Sequence, residues 1–260
     1  MSDANDEGGN DAIVNFLPTG NRQDAINPLT FALPTGFTQD PTQVSFNKAN
    51  AKALGFSGLD EQFGAADATI TFNSSFAFDF DNRDGVTPGQ TDFETVATHE
   101  IGHALGFVSD VDFVDTFAPT STNPIGVVLP TTLDLFRFDN VGLGTDPLTP
   151  AEFQLFARSL VPGNDEIFDD ITNEFRMSTG RLKGDGRQGS HWKDDAITGM
   201  YIGIMDPTLA PGVAFPITQA DLRAFDLIGY EIVPEPTLLA AIGLLALTTL
   251  RRRRVTTICD

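Results

Sequence analysis

The chain nearly lacks cysteine: Cys259 is the single one in 260 residues. Neither an intramolecular disulfide nor a thiolate metal cluster is available to it. Basic residues are also scarce, 16 against 36 acidic ones, which leaves a formal charge of −20. A surface that negative repels phosphate, and the only basic cluster, Arg251, Arg252, Arg253 and Arg254, lies at the C-terminal end rather than on a folded face. Nucleic acid is therefore excluded as a partner. The first residues carry no basic stretch followed by an apolar run, so no secretory signal is read there. Histidine is scarce too, with three in the whole chain.

What is present is enough apolar material to fold: 41% hydrophobic residues, 22 of them Phe, against 20% charged. The length suits one large domain or two small ones. Residues 1–10 read as disordered, 11–232 as the folded unit, and 233–260 as a tail of different composition. Leu-Pro-Thr-Gly at 17–20 and again at 33–36 reads as two turns. Over 68–80, Ile70, Phe72, Phe76, Phe78 and Phe80 occupy alternate positions, which predicts a half-buried strand. Asp79, Asp81 and Asp84 stand near the spacing of a calcium loop. The glycine arrives one residue late and no Glu closes the loop, so calcium is the lesser candidate ion.

Thr91 and Glu94 have the spacing of a capping box, and Phe93, Val96, Ala97, Ile101, Ala104 and Leu105 form an apolar stripe at helical spacing. A helix of about four turns ending at Gly106 is predicted. Residues 107–148 read as long loops with one short strand over 133–138. Thr149, Pro150 and Glu152 open a second helix to about Leu160, and a third runs from Thr218 to Ile228, stopped by Gly229. The fold class is α+β.

Residues 99–103 are His-Glu-Ile-Gly-His. Positions i and i+4 stack on one face of a helix, so His99 and His103 can face one metal ion with Glu100 beside it. With so few histidines, a shuffled chain would show the pattern roughly once in a thousand. Zinc is the expected ion, because it accepts imidazoles in tetrahedral geometry and leaves one position for water. Glu100 would then be the general base of a peptide hydrolysis. The third protein ligand is open between His191, the one remaining histidine, and the carboxylates Asp110, Asp112 and Glu152.

The stretch from His99 to Phe107, with Gly106 three residues after His103, resembles the start of the metzincin zinc signature. The usual third His would fall at Ser109, and this departure is similar to the leishmanolysin-like branch, where a long insertion precedes a Ser-His-Trp. Ser190-His191-Trp192 matches that element. Gly203-Ile204-Met205-Asp206-Pro207 resembles the Met-turn, with Met200 as the poorer alternative. The resemblance implies His99, His103 and His191 on one catalytic zinc, Glu100 as base, Gly106 turning the chain beneath the metal, and Met205 packing below it. It also implies a mixed, twisted sheet over the active-site helix, an N-terminal subdomain to about 106, and a loop-rich C-terminal subdomain from 107. The strand over 68–80 would be the edge strand that pairs with an extended polypeptide substrate.

The tail carries Val233-Pro234-Glu235-Pro236, a charge-free run over 237–250, and the four arginines. This order resembles the PEP-CTERM sorting signal and implies an exosortase-type partner, a C-terminal helix inserted in the membrane, and a place at the bacterial envelope or outside the cell. Export requires a signal sequence, so the expectation is that Met1 lies inside a longer protein. The competing function class is a non-catalytic envelope or matrix component that keeps the scaffold. Glu100 separates the two, because a scaffold needs no base beside its metal.

Overall fold

The computed structural model describes residues 30–40, 43–117, 126–140 and 145–233. It is α+β, with small sheets. β1 (Phe31–Ala32) pairs in parallel with β7 (Arg158–Ser159), β2 (Phe37–Gln39) with β5 (Gly126–Val128), and β3 (Phe78–Asp79) with β4 (Thr91–Asp92). The largest sheet is antiparallel, in the order β6 (Arg137–Asp139), β8 (Glu166–Asp169), β9 (Glu174–Met177). Seven helices are described: α1 (Lys48–Ala53), α2 (Leu59–Phe63), α3 (Phe93–Leu105), α4 (Val111–Phe117), α5 (Pro150–Leu155), α6 (Asp195–Thr198) and α7 (Gln219–Leu227). The single mixed sheet expected over the central helix is thus replaced, among the described residues, by four separate patches.

The strand expected over 68–80 shrinks to the two residues of β3. Asn73 is the cause: its side chain accepts from the Ser75 amide at 2.9 Å and its carbonyl from the Phe76 amide at 3.0 Å, so a turn interrupts the alternation. Phe72, Phe78 and Phe80 instead gather on Phe93 at the start of α3, with ring centroids 4.9, 5.3 and 4.8 Å away. Phe76 and Phe80 remain exposed.

α3 is the helix the His-Glu-Ile-Gly-His pattern requires, and its start is one residue later than expected. Thr91 is held in β4, so Asp92 is the N-cap, accepting from the Thr95 amide at 2.9 Å and the Thr95 hydroxyl at 2.6 Å. Its buried face carries Thr95 and Gly102, whereas Ile101 of the predicted stripe is 47% exposed. Gly106 ends it in the left-handed region at φ 119°, and the Phe107 amide returns to the Gly102 carbonyl at 3.0 Å. Two side chains serve the carbonyls of this last turn: Asn47 Nδ2 donates to His103 O at 2.6 Å, and Tyr230 Oη to Leu105 O at 2.7 Å.

Elsewhere, the segment expected as a strand over 133–138 begins as a 3₁₀ turn, Leu133–Phe136, and becomes β6 only at Arg137. α5 has the predicted Thr149 cap and first-turn proline but stops at Leu155, because Phe156 is extended and the chain enters β7. α7 falls within the expected 218–228 span, and it opens on a Thr218–Asp221 capping box. The main core joins Phe107, Phe136, Phe138, Phe153, Phe168, Trp192 and Met205, while Phe37, Val111, Val114, Val128 and Leu160 form a smaller cluster. Among the described residues no helix is long and apolar enough to cross a membrane. Pro234, Glu235, Pro236 and Arg251 to Arg254 lie outside the described residues, so the expected C-terminal membrane helix finds no support here.

Candidate metal centre

Two segments deliver three imidazoles to one point. His99 and His103 project from consecutive turns of α3, and His191 comes from a segment 88 residues beyond His103. Their Nε2 atoms stand 3.1 Å (His99–His103), 3.2 Å (His103–His191) and 3.2 Å (His99–His191) apart. An ion with bonds of about 2.0–2.1 Å to three imidazoles in tetrahedral geometry needs nitrogens about 3.3 Å apart. The triangle therefore has the right size for such an ion.

The opposite ring nitrogens decide which atoms face inward. His99 Nδ1 lies 2.8 Å from Ile204 O, His103 Nδ1 2.8 Å from Phe107 O, and His191 Nδ1 3.2 Å from Gln188 O. A carbonyl can only accept, so each Nδ1 carries the proton and each Nε2 presents a lone pair. Three lone pairs converging without a proton between them repel unless a cation stands among them. Burial, reinforced by the other two imidazoles, pushes His191 down to about 3, and burial also lowers His103. Both effects favour the neutral, ligating form of His103 and His191.

His191 is held by main-chain pairing and by a carboxylate. Ser178 N donates to His191 O at 3.0 Å, Trp192 N to Met205 O at 3.0 Å, and Lys193 N to Arg176 O at 2.8 Å, so residues 191–193 run along β9. Asp112 of α4 accepts from the amides of Gly189 and Ser190 at 2.6 and 3.2 Å and from the Ser190 hydroxyl at 2.5 Å. The fully buried Arg137 donates to Gly189 O at 3.0 Å while it pairs with Glu166. Ser109, at the position of the usual third His, donates its amide to Ser190 Oγ at 2.8 Å and so ties the helix exit to the segment bearing His191.

The carboxylates weighed as the third ligand are occupied elsewhere. Asp110 accepts from the Leu129 amide at 3.1 Å, Asp112 braces 189–190, and Glu152 caps the start of α5. Met205 is fully buried, and a Cβ on Gly102 would overlap its sulfur, so the thioether lies against the backbone of the helix that carries His99 and His103. Met200, by contrast, is 67% exposed. Asp221, fully buried, gathers Trp192 Nε1 at 2.8 Å, the Ile204 amide at 2.8 Å and the Thr218 amide at 2.7 Å. It thereby links α7, the 203–207 turn and the residue next to His191. Sequence reasoning missed Asp112, Arg137 and Asp221 in these supporting roles; only Asp221 left a signal, as the third helical residue after a Thr cap.

Glu100 stands between two openings. A cavity of about 160 Å³ is lined by His99, Glu100, Val96, Ile204, Leu209 and Phe215. A groove of about 440 Å³ is lined by Glu100, His103 and Ala104 together with residues 68–72. The suspected calcium loop, in contrast, is closed by its own donors: Asp79 takes the amides of Asp81 and Thr87 at 3.0 and 2.7 Å, and Asp81 pairs with Arg83. Comparison with family models, with curated proteins and with solved structures finds no match to this chain.

Proposed function

We propose that the protein is a zinc-dependent endopeptidase of the metzincin kind. The observation that carries this reading is the triangle of three inward-facing Nε2 atoms with Glu100 beside it, opening on a groove lined by residues 68–72. Nitrogen-only donors at this spacing suit zinc better than calcium or magnesium, which seek oxygen. When bound, zinc supplies Lewis acidity and lowers the pKa of a water toward about 7. His99, His103 and His191 hold the ion, each oriented by its own Nδ1–H bond to a carbonyl.

The remaining steps belong to the chain's own groups. Residues 68–72 offer main-chain donors and acceptors to an extended polypeptide, which lays a peptide carbonyl across the cluster. Glu100 accepts the proton of the attacking water as it adds to that carbonyl, then delivers the proton to the leaving amine. The cavity beside His99 receives a side chain of the substrate and helps to set its register. The arginine-ended tail supports a place at the bacterial envelope, reached through an exosortase-type partner, with the polypeptide substrate met outside the cytoplasm.

Glu100→Gln tests the assignment. The variant keeps about one zinc per chain by elemental analysis and loses casein hydrolysis by about 10²- to 10⁴-fold, the range for a positioned general base. Undiminished hydrolysis would refute the role of Glu100. Hydrolysis absent from the zinc-loaded parent protein would favour the scaffold without catalysis.

A further inference from the structure

We propose that Asp146 and Asp169 form a second cation site, for an oxygen-seeking divalent ion of the calcium type, where β8 ends. Asp169 is 1% exposed; its Oδ1 accepts the Ile171 amide at 2.5 Å, but its Oδ2 is buried and has no donor. Asp146 Oδ1 is in the same condition, buried and unserved. Asp146 acts on Asp169 through both charge and hydrogen bonding, yet each carboxyl brings an unserved acceptor where a donor is needed. Glu174, the register partner of Asp169 across β8 and β9, adds a third negative charge nearby. Among the described residues no Lys or Arg forms an ion pair with Asp146 or Asp169, although the adjoining Asp170 has Arg223.

An ionised carboxylate buried without a donor is costly, and two facing each other cost more. The arrangement resolves in one of two ways: a shared proton or a bound cation. Burial, with Asp146 and Glu174 adding to it, pushes Asp169 up to about 7, so near neutral pH a proton is only half held. A calcium ion meets the chemistry better, since it takes carboxylate oxygens at about 2.3–2.6 Å and completes its shell with carbonyls and water. The carboxylate oxygens of Asp146 and Asp169 separate this site from the histidine cluster, whose donors are nitrogens.

The test is calorimetric and thermal, and it reads neither proteolysis nor zinc content. The full chain, kept in zinc-supplemented buffer and freed of calcium, is titrated with CaCl₂ while heat and melting temperature are followed. The expected result is one calcium per chain with a rise in melting temperature, and weakening of at least about tenfold in both Asp146→Asn and Asp169→Asn. Asp146 is only partly buried, so its variant remains informative if the Asp169 variant fails to fold. No response of the parent protein at about 10 mM CaCl₂, well above the range of weak extracellular sites, would assign the pair to a shared proton and overturn the proposal. Undiminished calcium binding in the variants would overturn it as well.

Discussion

Gly102 and Met205 are packed so closely that the helix backbone and the thioether share the space a Cβ would fill. On an exposed helix, Gly→Ala stabilises by about 1 kcal/mol. At 102 the sign reverses. Gly102→Ala must displace Met205 or tilt α3 between its two histidines, at a cost of about 1–3 kcal/mol. Urea unfolding measures it, and a double-mutant cycle with Met205→Ala checks the cause, since relief of the overlap appears as a coupling of more than about 0.5 kcal/mol. Additive effects would place the strain elsewhere.

His191 and Asp110 offer a direct comparison. His191→Ala removes one of the three converging nitrogens, and zinc retained through dialysis should fall well below one per chain. Asp110→Asn should hold the proposed zinc as the parent does, because the Asp110 carboxyl addresses the Leu129 amide and not the cluster. The reverse pattern would revive a carboxylate as the third ligand.

Much of the site was legible because it is local. His99 and His103 are one helical turn apart, and Gly106 marks a turn whose left-handed φ the sequence advertises. His191 was reachable only through the scarcity of histidine and the Ser-His-Trp resemblance. What supports it was not legible: Asp112, Arg137 and Asp221 act on backbone amides and carbonyls far along the chain, and such bonds leave no residue pattern. The sheet was misjudged for a related reason. Alternation over 68–80 is compatible with a strand, but a ladder needs a partner, and the Asn73 turn with the pull of Phe93 wins over most of that segment.

The buried acids also predict a pH dependence. Burial, followed by the charge of Asp134, raises Asp110 to about 6. A carboxyl whose folded pKa exceeds its unfolded value contributes stability that is present below about 3.9 and lost as pH rises through about 6. Asp110→Asn, which keeps an acceptor for the Leu129 amide, should therefore be more stable than the parent at pH 8 by on the order of 1 kcal/mol. The two proteins should converge near pH 4. Comparing them at each pH cancels the titration of the histidines, which both share. A gap that stays constant across that window would show that Asp110 is not the titrating group.

Asp221 joins three elements by hydrogen bonds at zero exposure, so its removal is felt at once by Trp192, by Ile204 and by the cap of α7. Asp221→Ala leaves these donors buried without an acceptor, at about 1–3 kcal/mol for each group that water cannot reach. Chemical unfolding should show a loss at the upper end of single substitutions, with zinc binding weakened only as the 203–207 turn loosens. A loss under about 1 kcal/mol would mean that water replaces the carboxylate.

Asp112 tests whether the segment carrying His191 is held or merely near. It makes no hydrogen bond to an imidazole; it accepts from two successive amides and one hydroxyl immediately before His191, and its charge also reaches His103, so it acts on the cluster through the position of the His191 backbone and through its field. An asparagine of the same shape keeps one acceptor oxygen but points an NH₂ at one of the donors it replaces. The histidines remain, so the proposed zinc should still bind. Its affinity should drop by about 10- to 100-fold, as for partners that orient ligands from outside the coordination shell. Ser190→Ala removes the hydroxyl bond to Asp112 and the acceptor for the Ser109 amide, while leaving both amides to Asp112. Its effect should be smaller, and the order parent, Ser190→Ala, Asp112→Asn is the signature sought in a competition assay with a chelator. Equal zinc affinity in all three would show that the pairing of 191–193 with β9 holds His191 alone, with Asp112 serving only the loop before it.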